Sequence, residues 1–171
     1  MAHGNAGKKR KLVDPPLCME CSAPARLVGG DAIYPTRVDL HVKKYWLCEA
    51  GCNAWCGCHL GPHHKPLGRP AGPELRRARS ILHKEMLDPL WQNAVSDLGY
   101  EPEDEKARFM ITGSARKRVY AWLAEKMGIS GDDCHTAMFT IEQCRAAWVI
   151  LKDADLAEIR AWAKAKGSRN A

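Results

Sequence analysis

Four of the eight cysteines fall into two close pairs, Cys18-Met19-Glu20-Cys21 and Cys48-Glu49-Ala50-Gly51-Cys52. Two residues between thiols let both sulfurs face one tetrahedral ion while the intervening amides turn toward them. The second pair has three intervening residues, and Cys56 stands nearby as an alternative ligand. Read as one set, Cys18, Cys21, Cys48 and Cys52 would hold a single Zn2+. Four thiolates close the coordination shell, whereas a catalytic zinc keeps a position for water, so the set predicts a structural ion. The competing reading, that these cysteines are small buried hydrophobes, does not explain two knuckle-like pairs.

More potential ligands follow. The stretch 45–64, YWLCEAGCNAWCGCHLGPHH, holds four cysteines and three histidines. Cys58, His59, His63 and His64, with Cys134 and His135, are candidates for a second metal site. Cys56 alternates with Trp55 as an inward strand residue would. Cys144 shares a helical stripe with Ile141 and Trp148 and reads as core. A disulfide framework would suit a secreted chain, but Met1–Val13 has a basic patch and no apolar stretch behind it.

The cations form the other pattern. Lys and Arg number 26 against 20 Asp and Glu, a net charge of +6, which favours a polyanionic partner. Lys8, Lys9, Arg10 and Lys11 resemble a nuclear-import signal; in a prokaryotic or phage protein the same cluster would be a sticky arm for phosphates, and a plain solvated tail is the competing reading. Arg76 and Arg77, with Arg79 and Lys84, crowd one predicted helix. Arg116 and Lys117, with Arg118, fall in the expected first turn of another. Cations there oppose the helix dipole, a placement best tolerated where an anion docks on the free N–H groups. Lys164, Lys166 and Arg169 make the C-terminal end basic. No base-reading signature accompanies them, so DNA or RNA would be held mainly through phosphates. A protein partner, such as a host or defence protein to be inhibited, is the alternative. His63-His64 and Cys134-His135 faintly suggest an HNH nuclease, but their order and spacing are wrong and no acidic neighbour completes a metal site. The expectation is a non-enzymatic protein.

These residues need elements to position them. Residues 1–16, rich in Gly, Ala and Lys and ending in Pro15-Pro16, read as a disordered arm. Over 17–62, ARLV (25–28), AIYP (32–35), KYWL (44–47) and NAWCG (53–57) read as short strands, with VGGD as a hairpin turn using glycine at positive φ. So few apolar groups cannot bury a core alone, so a metal must staple the segment. Residues 63–72 read as a linker. From Pro73 the period becomes helical: Leu75, Ala78, Leu82 and Met86 make one stripe, ended or kinked at Asp88-Pro89. Glu101–Glu105 reads as an acidic break. Ser114 caps a helix buried through Val119, Trp122, Leu123 and Met127 and closed by Gly128. Thr140 and Gln143 form a capping box, and Asp155 starts a last helix carrying Leu156, Ile159 and Trp162. The fold class is α+β: an N-terminal zinc-ribbon β module (17–62), then a helical domain of four or five helices (73–167) and a tail (168–171).

Several runs resemble, in this order, a family of small phage and prophage proteins described as a zinc-finger-containing domain of unknown function. They are YWLCEAGCNAWCGCHLG, PLGRPAGPELRRAR, LDPLW, RVYAWLAEKMGI, CHTAMF and QCRAAW. The resemblance spans about residues 17 to 150. In that family the second knuckle is usually Cys-x2-Cys-Gly; here it is Cys48-x3-Cys52-Asn53, where Asn tolerates the left-handed conformation Gly would take. The resemblance implies a phage-related cytoplasmic zinc protein and no particular activity. No apolar run approaches the ~18 residues of a membrane span.

Overall fold

Three antiparallel strands carry the N-terminal cysteines: β1 (Ala25–Gly29), β2 (Lys44–Cys48) and β3 (Trp55–Gly57), in the order β1-β2-β3. The computed structural model describes residues 14–167. Lys8, Lys9, Arg10 and Lys11, most of the arm 1–16 and the tail 168–171 lie outside the described residues. The chain divides into two compact units, one ending at Gly72 and one starting at Pro73.

In the first unit the register pairs Ala25 with Cys48, Val28 with Tyr45, and Tyr45 with Gly57. Alternation along β2 sends Tyr45 to one face of the sheet and Trp46 to the other. Tyr45 joins Tyr34 and Trp55 in three edge-to-face contacts, with ring centroids 5.3–5.7 Å apart. Trp46 is buried and donates from Nε1 to the His64 carbonyl at 2.9 Å.

Two expectations fail here. AIYP is not a strand, and β1 pairs with β2 rather than with residues 32–35. Gly30–Ala32 is a 3-10 turn, and neither Gly29 nor Gly30 has a positive φ. Gly30 serves close approach instead: a Cβ there would fall on the Leu40 carbonyl oxygen, with the carbonyl carbon 2.6 Å away. The segment expected as a linker is also tied down. Ala71 and Trp55 exchange backbone bonds at 3.2 and 3.3 Å, Leu67 donates to the Gly57 carbonyl, and Gly72 donates to Glu20 Oε1 at 2.8 Å. Arg69 caps the Leu17 and Cys18 carbonyls. Pro and Gly in this run mark an irregular edge that β3 accepts, not a free tether.

The second unit is helical, and α+β is the fold class of the chain. Helix α1 (Pro73–Ile81) passes through a π turn (Leu82–Leu87) into α2 (Asp88–Gln92) as one helical run; α3 (Ala94–Asp97), α4 (Glu105–Met127), α5 (Ile141–Leu151) and α6 (Leu156–Gly167) follow. Pro89 does not end the run. Proline removes an i→i−4 bond, and the π turn absorbs the defect, with the Asp88 N–H reaching back to the His83 carbonyl. Helix α4 contacts α2, α3, α5 and α6. Val119 and Leu123 on α4, Leu82 and Leu87, Phe139, Leu151 and Ile159 are buried and form the core.

Helix α4 starts nine residues before Ser114. Asp104 is its cap, accepting from the Ala107 N–H at 2.6 Å, so Ser114 sits mid-helix. Gly128 closes α4 at φ 65°, and Thr140–Gln143 forms the expected capping box.

Candidate metal centre and basic grooves

The two knuckles follow from local backbone rules. In the first, Ser22 takes a left-handed φ of 59° and its N–H donates to the Cys18 carbonyl at 3.0 Å. In the second, Gly51 at φ 77° takes up the extra residue and Asn53 at φ 53° occupies the left-handed position. Only small or Asx-type residues enter that region cheaply. As a result each sulfur meets the N–H two residues on: Cys18 that of Glu20 at 3.4 Å, Cys21 that of Ala23, Cys48 that of Ala50, and Cys52 that of Ala54. Such donors favour thiolates.

The four thiols converge. Cys18 Sγ lies 3.4 Å from Cys52 Sγ, Cys21 Sγ 3.5 Å from Cys48 and 3.7 Å from Cys52, and all four lie within 4.8 Å of one another. A ZnS4 tetrahedron with ~2.3 Å bonds has edges of about 3.8 Å, so this spacing suits one ion. None of the cysteines is in a disulfide. Cys18 and Cys48 are buried with Ala54 as the small interior of the knuckles.

Electrostatics point the same way. Burial pushes the Cys48 thiol up, but bonds from Cys52, the Ala50 N–H, Cys21 and Cys18 outweigh it and bring its pKa down to about 7. Cys52 takes the opposite share: its bonds to Cys48 and Cys18, with burial, push it up to about 12. At Cys21 the Ala23 N–H pulls down, but the Cys48 bond and burial lift the thiol above its usual value. The Cys48 thiolate forms readily while Cys21 and Cys52 are held back, a conflict a divalent cation removes. Cys18, Cys21, Cys48 and Cys52 fit one structural zinc ion, which would cross-link β1's approach to the end of β2.

The model of one protein family, described as a zinc-finger-containing domain, matches residues 14–101 and 107–154. The chain belongs to this zinc-finger-containing domain family. Comparison with curated proteins and with solved structures gives no match.

The remaining candidates of this family member do not join the centre. Among the described residues no further group of three or more His, Cys, Asp or Glu side chains is spaced to hold a metal. Cys58, His59, His63 and His64 lie in the first unit, Cys134 and His135 in the second. Cys56 Sγ instead donates to the Gly68 carbonyl at 3.2 Å. Burial lifts the Cys58 thiol, pushes Cys134 up to about 11 and raises Cys144, so these thiols stay protonated. Cys144 is core.

The cations are less uniform than the sequence implies. Arg79 is only 9% exposed and donates from Nε to the Phe139 carbonyl at 2.9 Å, joining α1 to the start of α5. Arg76 is half-buried and Arg77 exposed. Arg77 lines a groove of about 290 Å3 with Arg145 and Trp148. Arg116 and Lys117 are not in a first turn; both are exposed in the middle of α4, so the dipole argument for an anion at that helix end does not hold. Arg116 instead has its guanidinium 5.4 Å from the Trp91 ring centroid and 5.7 Å from that of Tyr120.

Arg116 and Lys117 line a groove of about 640 Å3 with Phe109, Met110 and Tyr120. Phe109 and Met110 are not found from sequence because they fall between the acidic break expected at 101–105 and the cap expected at Ser114, a stretch given no element. The available signal was Asp104 followed by a run from Glu105 to Thr112 free of Gly and Pro. No helix among the described residues is long and apolar enough to cross a membrane.

Proposed function

We propose that the protein is a non-enzymatic, zinc-stabilised accessory protein of phage type that binds nucleic acid mainly through phosphates in the cytoplasm of a bacterial host. One observation carries the reading: the adjacent exposed pair Arg116 and Lys117 on α4, with the Arg116 guanidinium braced by Trp91 and Tyr120. A braced, planar guanidinium loses less freedom on gripping a phosphate. Arg76, Arg77 and Lys8, Lys9, Arg10 and Lys11 supply further contacts. The zinc holds shape, since four thiolates leave no coordination position for a reacting water.

The test is affinity against salt. About 5 phosphate contacts give a log–log slope near −4 to −5 on duplex DNA. Replacing Arg116 and Lys117 together by Ala should reduce the slope by about 2 and weaken all sequences alike. A salt-independent affinity would overturn the reading.

A second reading, inhibition of a host or defence protein by direct binding, draws on exposed Phe109 and Met110, since aromatic and Met side chains are enriched at interfaces. It requires a stoichiometric protein complex that survives nuclease treatment.

A further inference from the structure

Phe109 is 77% exposed and Met110 63%, on the helix face that carries Arg116 and Lys117. Unlike singly exposed apolar groups, these two adjoin one another and share a groove with the cations, the arrangement expected of a binding surface. Between them stands Gly113, interior to α4. Among the described residues a Cβ at Gly113 would meet nothing within 4 Å, so no contact with them requires a glycine there, although glycine weakens a helix interior. Its effect is to keep the groove floor open between the aromatic end and the cationic end. Tyr120 extends the cationic end, half-buried and bonded to Thr136 and Arg116.

We infer that this groove of α4 takes unpaired nucleotides: a base stacks on Phe109 over the open floor at Gly113, and the following phosphates meet Arg116 and Lys117. The inference rests on the nucleic-acid reading above and narrows it to single strands. The chemistry separates the two substrates. A duplex hides its base faces in the stack and offers phosphates, which would leave Phe109 and Met110 unused. A single strand offers both a negative backbone and free π faces, and proteins that bind it combine cations with aromatic platforms. From Phe109 to Arg116 is two helical turns, about 10 Å. That is the rise of about three stacked nucleotides, so the groove is a short site within a longer contact. Charge complementarity fixes the polarity of the contact, apolar end to base and basic end to phosphate.

The test measures fluorescence anisotropy of the full chain, zinc-loaded, with an oligo(dT) of about 15 nucleotides and with a duplex of equal length at about 50 mM salt. Phe109→Ala should weaken oligo(dT) binding about 5- to 150-fold and leave duplex binding unchanged, while Phe109→Trp retains oligo(dT) binding. Gly113→Leu, a better helix former, should keep or raise the melting temperature and still weaken oligo(dT) binding. Arg116→Ala with Lys117→Ala should weaken both probes. If Phe109→Ala or Gly113→Leu leaves oligo(dT) binding unchanged, or the duplex binds as tightly as the single strand, the groove is not a single-strand site, although phosphate binding stands. If neither probe binds, both readings fall and the apolar floor belongs to a protein partner.

Discussion

Stripping the metal from the intact chain should unfold residues 14–72 and leave 73–167 folded. Around the knuckles the first unit buries only Cys18, Cys48 and Ala54, with Ala23 and Cys52 against them. Its large buried side chains are Val28, Tyr45, Trp46 and Pro70. At ~1.5–3 kcal/mol each they contribute about 6–12 kcal/mol, and that is offset by the ordering entropy of the whole segment. A structural zinc contributes on the order of 10–16 kcal/mol in small zinc peptides. The ion therefore outweighs the apolar core. The second unit has its own core around Leu82, Val119, Leu123, Phe139 and Ile159 and uses none of the four ligands. The assay is chelation under reducing conditions, followed by amide NMR. Resonances of 14–72 should collapse to random-coil positions while those of 73–167 stay dispersed. Far-UV circular dichroism at the helical band should barely change, because every α-helix among the described residues lies beyond Gly72. Loss of the helical signal in parallel, or strand resonances that survive chelation, would refute the reasoning.

Other outcomes follow from the same structure. Zinc-bound cysteines carry no protons, whereas thiols of the unfolded chain titrate near 8.5; the metal's contribution to stability should therefore rise with pH up to about 8.5 and be lost as pH falls below it. Because Cys48 titrates at about 7 and Cys52 at about 12 in the metal-free site, apparent zinc affinity should fall by at least about a hundredfold per pH unit below pH 7, read by competition with a chromophoric chelator. Asp104→Ala removes the cap of α4 and should cost about 1 kcal/mol in urea unfolding of the helical unit, an effect absent if Ser114 were the cap. Gly30→Ala places a Cβ on the Leu40 carbonyl and should destabilise the ribbon by more than about 2 kcal/mol; an unchanged melting temperature would show that the 3-10 turn yields freely.

The metal centre was legible because ligand spacing is a local rule. Cys18 and Cys21 announce themselves, and Cys52 could be chosen over Cys56 because Asn53 takes the left-handed turn a knuckle needs. What sequence could not show were choices made by tertiary context. Gly29-Gly30 looks like a hairpin turn, yet the glycine is needed for the approach of residues 40–41, which sequence neighbours do not reveal. Pro89 reads as a helix end, but a π turn upstream reroutes the bond it deletes. Pro66, Pro70 and Gly72 suggest a tether, while the backbone of 65–72 is held along β3 and against Glu20. Arg79 looked like its neighbours until Phe139, sixty residues away, supplied a carbonyl for it. The start of α4 is hidden because the acidic run 101–105 has the composition of an exposed break, although acidic groups equally suit a helix N-terminus.

The most direct test of the central claim is X-ray absorption at the zinc edge on the purified full chain, normalised to metal content. One zinc per chain, with four sulfur neighbours at about 2.3 Å and no nitrogen or oxygen in the first shell, is the predicted result. A nitrogen or oxygen neighbour, or a second tightly held zinc, would contradict a single closed structural centre on Cys18, Cys21, Cys48 and Cys52.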